Sequence, residues 1–248
     1  MVERNDRAPV ATFFIDGALV AGDVVTLSDD AAHHARVRRI SAGAAIRLTN
    51  GAGARAVAEL VHPSGRRDVA ARVAKTQSVA RPAPIHLRVP IADRDRMLWL
   101  GEKATELGIT SWQAVHFRRS ASVSPRGEGS AFAQKLRARM IGALEQSGGA
   151  WLPEVLPDVS LEQLALEHLH AGFVLDSQGA PILSALSGPP GAVAIVLGPE
   201  GGLEPDELEL LGARGWRSVR LAPTTLRFET AAIAAVSIAR AITLTQEA

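Results

Sequence analysis

Two short segments near the end of the chain carry residue types that suit ligand binding and catalysis. The first, Gly198-Pro-Glu-Gly-Gly202, is a glycine-rich turn that can adopt unusual backbone angles and lets a ligand approach the main chain. The second, Pro223-Thr-Thr-Leu-Arg-Phe-Glu-Thr230, presents a cation, Arg227, and a carboxylate, Glu229. A cation can stabilise a developing anion and a carboxylate can accept a proton, each effect being worth ~10²–10⁴ in rate. A structural ion pair or helix-start contacts are the alternative uses of these side chains.

The glycine-rich turn matches neither of two common nucleotide-binding loops. It lacks the Gly-Lys-Ser/Thr ending of a phosphate loop, and Glu200 would place a negative charge where phosphates need amides and cations. Its spacing is not the Gly-x-Gly-x-x-Gly of dinucleotide-binding folds. A plain tight turn is the simplest interpretation. As a ligand site, its carboxylate and open amides suit a ligand that is neutral or cationic nearby, such as the sulfonium compound S-adenosylmethionine (SAM).

Strands and helices are predicted to position both segments at one edge of a sheet. The apolar run Ala192–Leu197 is typical of a strand that is buried on both faces of a parallel sheet. Pro205 suits the first turn of a helix that follows the glycines. Ser218–Ala222 is predicted as the next strand, and a closing helix runs from Ala231 to about Thr245. Two strand-to-helix turns at the carboxyl edge of one sheet form a crevice, which is where open α/β sheets bind ligands.

The two segments together resemble the paired signature of the RsmE family. These are SPOUT-superfamily RNA methyltransferases that modify N3 of one uridine in 16S ribosomal RNA. The resemblance covers nearly the whole chain, because further stretches are similar to family patterns: Glu102–Gly108, Arg119-Ser120, Glu145–Gly148, and His33-His34 through Val37-Arg38-Arg39 and Gly43 to Asn50-Gly51.

The resemblance implies an α/β fold in two domains. Residues 1–80 would form a small PUA-like RNA-binding β-barrel, and residues 83–248 a SPOUT methyltransferase domain with a parallel sheet and a trefoil knot. Pattern alone would not predict a knot, because knots are nearly absent from proteins. The resemblance also implies SAM as cofactor, no metal, 16S rRNA of the small ribosomal subunit as partner, and a homodimer. The apolar helix Ala231–Ala239 fits a dimer contact, or a core helix that needs no partner.

The resemblance and the chemistry of the side chains together assign roles to individual residues. Arg227 and Glu229 are the expected catalytic residues. The residues expected to bind the cofactor are Leu175, Leu197, Gly198, Pro199, Glu200, Gly201, Gly202, Leu221, Pro223, Leu226 and Arg227. The residues expected to bind RNA are Arg36, Arg38, Arg39 and Arg119. For the first three arginines, a solvated helix end is the alternative.

The sequence departs from the family pattern at several positions. Ala222, Thr224 and Phe228 stand where the family carries Gly, Arg and Thr. Gly149 replaces an arginine and Asp93 replaces a lysine. Three basic positions have therefore lost their charge, which bears on the substrate rather than on the donor pocket. Methylation of a ribose 2′-hydroxyl, or an RNA-binding assembly factor with a decayed substrate site, are the alternative functions.

Composition sets the wider bounds. The 248 residues exceed one average domain, and 47% of them are hydrophobic, which is ample for real cores. The chain has no cysteine, which excludes disulfides, thiolate metal sites and cysteine nucleophiles. No apolar run could span a bilayer and the start lacks a secretory signal, so we expect a cytoplasmic protein. Residues 1–82 hold 12 Lys and Arg against 8 Asp and Glu, a mildly basic balance of +4 that could favour phosphate contacts.

The remaining elements are predicted from pattern and turn signals. The first part should hold the strands Thr12–Ile15, Val24–Leu27, Ala45–Thr49, Ala54–Leu60 and Asp68–Lys75, and a helix from Asp29 to about Ile40. The second should hold the strands Ile85–Ile91, Ser111–Phe117 and Gly172–Asp176, and the helices Asp95–Gly108 and Ala131–Gln146. Short strands joined by turns indicate a small barrel. Alternating strands and helices indicate a parallel sheet with right-handed crossovers.

Overall fold

The computed structural model describes residues 8–61, 69–120, 125–164, 171–186 and 191–247, and the side chains of 245–247 are left undescribed. The chain forms two compact units. The first consists of Met1–Arg81 with Ile141–Leu152, and the second of Pro82–Met140 with Pro153–Ala248. The short segment Ile141–Leu152 thus groups with the first unit although it follows much of the second in sequence.

The first unit is built on a curled, mixed five-stranded sheet. Its elements are β1 (Thr12–Phe14), β2 (Val24–Thr26), α1 (Asp29–Val37), β3 (Ala45–Thr49), β4 (Ala54–Val61) and β5 (Ala70–Ser78). The strand order is β1-β3-β4-β5-β2, with β1 parallel to β3 and the other pairs antiparallel. Side chains such as Phe13, Ile46 and Leu60 fill a separate apolar core. Asp68, where the fifth strand is predicted to begin, lies outside the described residues.

The predicted hairpin at Asn50-Gly51 joins β3 to β4. Asn50 Oδ1 accepts hydrogen bonds from the backbone N–H groups of Ala52 (2.9 Å) and Ala54 (3.0 Å). Gly51 has φ of +66°, which L-residues with a side chain rarely adopt. The turn chemistry therefore closes this hairpin locally, as the dipeptide predicts.

The second unit is a six-stranded parallel sheet with helices packed against it. Its elements are β6 (Ile85–Pro90), α2 (Arg94–Glu106), β7 (Ser111–His116), α3 (Gly129–Ser147, which continues into the first unit), β8 (Glu154–Ser160), β9 (Ala171–Pro181), α4 (Ile182–Ala185), β10 (Val193–Leu197), α5 (Pro205–Ala213), β11 (Trp216–Arg220) and α6 (Phe228–Glu247). The strand order is β11-β9-β10-β6-β7-β8, and every pair is parallel. The predicted α/β class is confirmed, whereas the knot stays a prediction.

Strand β10 lies at the centre of the second unit. All five of its residues are buried, as expected of a strand covered on both faces. Its Ala194 and Val196 share an apolar cluster with Leu211 of α5 and Trp216 of β11. Helix α6 packs against β10, β6 and α2. The turns that follow β10 and β11 therefore start from a rigid, well-packed frame.

Several elements differ from the sequence predictions. Strand β11 begins and ends two residues earlier than predicted, and the short helix α4 has no predicted counterpart. Strand β8 is an edge strand that contains Pro157, which central strands exclude and edges tolerate, so its sequence carries a weak strand signal. Strand β9 continues to Pro181, five residues beyond the predicted end at Asp176. Its pairing with β11 shifts register between Ser218 and Val219, so residues 175–179 of β9 form a bulge. Helix α6 begins at Phe228, three residues earlier than predicted.

Within the described ranges, no helix is long and apolar enough to cross a membrane.

Candidate active site

A cavity of about 470 Å³ opens at the carboxyl edge of the parallel sheet. Strands β10, β9 and β11 are neighbours there, and the segments that leave each of them form a wall. The wall after β10 is the glycine-rich turn, the wall after β11 is the segment before α6, and the bulge of β9 supplies the third. This is the crevice that the two strand-to-helix turns predict.

Most of the residues expected to bind the cofactor line this cavity. Those that line it are Leu175, Leu197, Gly198, Pro199, Glu200, Gly202, Leu221, Leu226 and Arg227. Gly201 and Pro223 are not among the lining residues. The cavity is also lined by residues for which no cofactor contact is predicted, among them Ser177, Leu203, Leu208 and Arg220. No sequence motif marks these residues, because only the strand topology brings them to the cavity.

Each of the three glycines in the turn is required by a different structural constraint. Gly202 has φ of +74° and donates its N–H to the Pro199 carbonyl at 2.8 Å, so the turn needs a residue without a side chain. A Cβ on Gly198 would stand 3.0 Å from Leu203 Cγ. A Cβ on Gly201 would stand 3.2 Å from Arg119 Cβ, because that glycine packs on the arginine stem and not on the cavity. Close ligand approach therefore does not explain Gly201.

Arg227 and Glu229, the two expected catalytic residues, lie in different environments. Arg227 is exposed and lines the cavity, and its guanidinium has no hydrogen bond or ion pair within the part of the chain that the structure describes. Glu229 is only 13% exposed in its side chain and is held by Arg96, with Nε–Oε1 at 3.2 Å and Nη2–Oε2 at 2.5 Å. Both carboxylate oxygens of Glu229 are therefore already engaged with the Arg96 guanidinium. The geometry favours the structural ion pair for Glu229, with Arg96 as its partner rather than Arg227.

Arg96 is the residue that sequence reasoning missed. It lies in the first turn of α2 and also contacts Glu200 of the glycine-rich turn. Its guanidinium carbon lies 4.7 Å from the centre of the Phe228 ring. Partial burial opposes its charge, but the hydrogen bonds and charges of Glu229 and Glu200 outweigh that effect and raise its pKa above the ordinary value. Its partners are 104 and 133 residues away in sequence, so no local spacing could reveal them.

Arg119, expected to bind RNA, braces the glycine-rich turn. Its Nε and Nη2 donate to the two carboxylate oxygens of Glu204 at 2.7 and 2.9 Å, and its Nη1 donates to the Gly201 carbonyl at 2.9 Å. The neighbouring Arg118 donates its backbone N–H to the buried Glu207 at 2.9 Å. Glu207 also accepts the Glu204 N–H, which forms the capping box of α5. All three donor nitrogens of Arg119 are therefore engaged within the chain.

The other three arginines expected to bind RNA lie together at the end of α1. Arg36 is in its last turn, Arg38 is its C-cap, and Arg39 follows with φ of +53°. All three are exposed, and Arg36 Nε donates to the Ala32 carbonyl at 3.1 Å. Within the same unit, His34 packs its ring edge-on against Phe13, with centroids 6.1 Å apart. Across the described residues, no group of three or more His, Asp or Glu side chains could hold a metal ion.

Several departures from the family pattern have structural uses. Asp93 is the N-cap of α2 and accepts from the backbone N–H groups of Asp95 and Arg96 at 3.1 and 3.0 Å. Phe228 is buried beneath the Arg96 guanidinium. A Cβ on Gly149 would stand 2.5 Å from a Leu144 methyl carbon. The altered residues at 93, 149 and 228 are thus explained by local packing and capping.

Comparisons with known proteins match this arrangement along nearly the whole chain. The family model described as an RNA methyltransferase domain matches residues 80–240, and the one described as an RNA methyltransferase PUA domain matches residues 27–73. The chain is 32% identical to ribosomal RNA small subunit methyltransferase E of Mycobacterium bovis over 244 residues, which covers 93% of this chain and 91% of the relative. It is 26% identical to the protein of that name from Rickettsia conorii, with 92% and 93% covered.

Two solved structures with bound SAM are similar over their full length. A methyltransferase from Legionella pneumophila is 29% identical and gives a TM-score of 0.83, with 95% of this chain and 98% of that chain covered. Ribosomal RNA small subunit methyltransferase E from Neisseria gonorrhoeae is 26% identical and gives a TM-score of 0.82, with 94% and 97% covered.

Proposed function

We propose that this chain, which belongs to the ribosomal RNA small subunit methyltransferase E family, transfers a methyl group from SAM to N3 of a specific uridine in 16S rRNA. As a member of that family it is a SAM-dependent rRNA methyltransferase. The choice of N3 rests on one observation above all. The cavity at the sheet edge is lined by leucine side chains and turn backbone together with the cation Arg227, whose guanidinium has no hydrogen bond or ion pair among the described residues.

The residues of the cavity fit SAM. A volume of about 470 Å³ lies in the range of small-molecule sites, ~300–1,000 Å³. Leu197, Leu221 and Leu226 offer apolar surface, and the turn from Gly198 to Gly202 offers backbone groups. SAM would supply an electrophilic methyl group on a sulfonium. Glu200 adds a carboxylate to the wall, which a cationic donor tolerates and a phosphate would not.

The chemistry at uridine N3 requires an anion to be stabilised. The N3–H proton must leave before N3 can attack a methyl group, so the reactive base carries negative charge. The unpaired guanidinium of Arg227 can stabilise that charge, whereas the guanidinium of Arg96 is already neutralised by two carboxylates. The target base must be splayed from its stack to reach such a cavity.

RNA contacts outside the cavity are proposed for the exposed arginines of α1. Arg36, Arg38 and Arg39 form a positive cluster on the unit that carries the PUA domain match. Such a cluster would contact phosphates and position the RNA without reading its sequence. Arg119 stays a proposed RNA contact as well, although its donors are engaged with Gly201 and Glu204.

A homodimer is proposed through the closing helix. Along α6, Ile233 and Ile238 are only half-buried and Leu244 is 55% exposed in the single chain. Apolar surface of this kind is stabilised when a second copy covers it. Light scattering of the full chain tests the assembly, and a monomer at high micromolar concentration would contradict it.

The experiment that tests the function is methyl transfer from tritiated SAM to purified ribosomal particles. Small subunits that lack the modification should accept label, and large subunits should not. Binding of SAM without transfer to any ribosomal RNA would favour the assembly factor with a decayed substrate site. Absence of SAM binding would contradict the assignment of the cavity itself.

A further inference from the structure

Arg96 joins the two segments that enclose the cavity. Glu200 lies in the glycine-rich turn and lines the cavity, and Glu229 lies in the first turn of α6, two residues after Arg227. The Arg96 guanidinium bonds both carboxylates and lies over the Phe228 ring. No other side chain in the described part of the chain forms hydrogen bonds or ion pairs with both Glu200 and Glu229.

Helix α2 holds Arg96 in a fixed position. Arg96 is in the first turn, where the N-cap Asp93 accepts its backbone N–H at 3.0 Å. The next residue, Met97, is fully buried, and α2 packs against α6. The arginine side chain is only 29% exposed, so its position is restricted by packing as well as by charge. A planar guanidinium can bond two carboxylates at once, which an ammonium group does less well.

Without the Arg96 cation, the carboxylates of Glu200 and Glu229 would repel each other. Both carboxylates lie within hydrogen-bond reach of one guanidinium, so without it two negative charges would face each other across a gap of a few ångströms. Glu229 would also be left largely buried and unpaired, which is costly for a charge. The least costly response is for the glycine-rich turn to move away from α6, because that turn is the more exposed partner.

We propose that Arg96 is a positioning residue that holds the glycine-rich turn and the start of α6 at the separation that the methyl donor requires. The proposal rests on the proposed function, since it takes the cavity as the donor site. Arg96 itself does not line the cavity and so acts through Glu200, Glu229 and Phe228. It is distinct from Arg227, which lines the cavity itself.

The test measures SAM binding to the full chain by calorimetry. Arg96→Met should weaken the affinity for SAM at least tenfold. Arg96→Lys should recover part of the loss, because lysine keeps the positive charge but lacks the planar guanidinium that bonds two carboxylates at once. The matched control is Arg94→Met, two residues away in the same helical turn, where the side chain forms an ion pair with the exposed Asp95 and with no other described residue. The control should bind SAM within twofold of the wild type. Equal affinity for Arg96→Met and the wild type would overturn the proposal.

Two further readouts separate positioning from a general loss of structure. In steady-state assays of Arg96→Met, the KM for SAM should rise about tenfold while kcat at saturating SAM falls less than threefold. Bound SAM would restore the separation between the glycine-rich turn and the start of α6. In a Glu200→Gln background, Arg96→Met should cost less affinity than in the wild type, since the repulsion is gone. Equal losses in both backgrounds, or a fall in kcat alone, would overturn the proposal. Failure of the wild type to bind SAM would instead refute the proposed function.

Discussion

Replacement of Arg227 by alanine removes the cavity-lining cation that is proposed to stabilise an anionic base. The side chain is exposed and lines the cavity, and it supports no other side chain among the described residues. Its backbone carbonyl accepts from Ala231 N–H at 2.9 Å, and alanine preserves that bond. The neighbouring Phe228 stays buried and anchors the start of α6. The variant should therefore fold and bind SAM with nearly unchanged affinity.

The expected loss in turnover follows from the charge at this position. Two unit charges about 4 Å apart interact by about 1 kcal/mol in water and by about 4 kcal/mol at an effective dielectric constant of about 20. Arg227 is exposed in the free chain, and bound RNA would exclude part of the water, so a value between these limits applies. About 2.7 kcal/mol corresponds to a rate factor of ~10², which is similar to the loss of one oxyanion-hole donor.

The assay is single-turnover methyl transfer to small subunits at saturating SAM, with SAM affinity measured separately. Arg227→Ala should lower the rate ~10²-fold, and Arg227→Lys should restore only part of it, because a point charge cannot reproduce a planar fork of donors. Arg220→Ala removes a second cation that lines the cavity and should cost less than tenfold. An unaltered rate in Arg227→Ala, or an equal loss in Arg220→Ala, would refute a specific role for Arg227.

Two further variants test the supports of the site. Arg119→Ala should weaken SAM binding about tenfold because it releases Glu204 and the Gly201 carbonyl. The control is Arg118→Ala, whose side chain forms an ion pair with the exposed Asp206 and with no other residue that the structure describes. A fall in RNA affinity with SAM affinity intact would instead favour the RNA contact. Arg240→Met should destabilise the chain by about 2–4 kcal/mol, since the buried guanidinium donates to the carbonyls of Ala83, Leu107 and Gly108. Thermal unfolding should then show a midpoint lower by about 5–15 °C. Arg139→Met, at an exposed ion pair with Glu102, should change stability by less than about 0.5 kcal/mol, and an equal loss would contradict the argument.

Local chemistry made much of the second unit predictable. The apolar run before Gly198 is a strand with all five residues buried, because no polar side chain interrupts it. The crevice follows from topology, since parallel strands bring their carboxyl ends to one edge. In the first unit, the Asn50-Gly51 hairpin was predictable as well, because the asparagine side chain and the positive φ of the glycine favour the turn locally. Distant backbone adds to it, since Leu152 N–H donates to the Gly51 carbonyl at 2.8 Å.

Long-range contacts are the part that sequence could not supply. Arg96 is far from Glu200 and Glu229 in sequence, and only the fold brings the three side chains together. The sequence alone therefore does not identify Arg96 as the ion-pair partner of Glu229. Gly201 shows the same limit, since its role depends on Arg119, which is 82 residues away. The edge strand β8 was missed because Pro157 weakens its pattern. A knot depends on the path of the whole chain and leaves no local signal.

The identity of the methylated nucleoside tests the proposed function most directly. RNA from small subunits is digested after reaction with SAM and the wild-type chain, and the products are resolved by mass spectrometry at several pH values. We expect 3-methyluridine, formed at a rate that rises with pH below the effective pKa of the uridine imide, because the N3 anion is the nucleophile. A 2′-O-methyl nucleoside would contradict the choice of N3 and the anion-stabilising role of Arg227 with it.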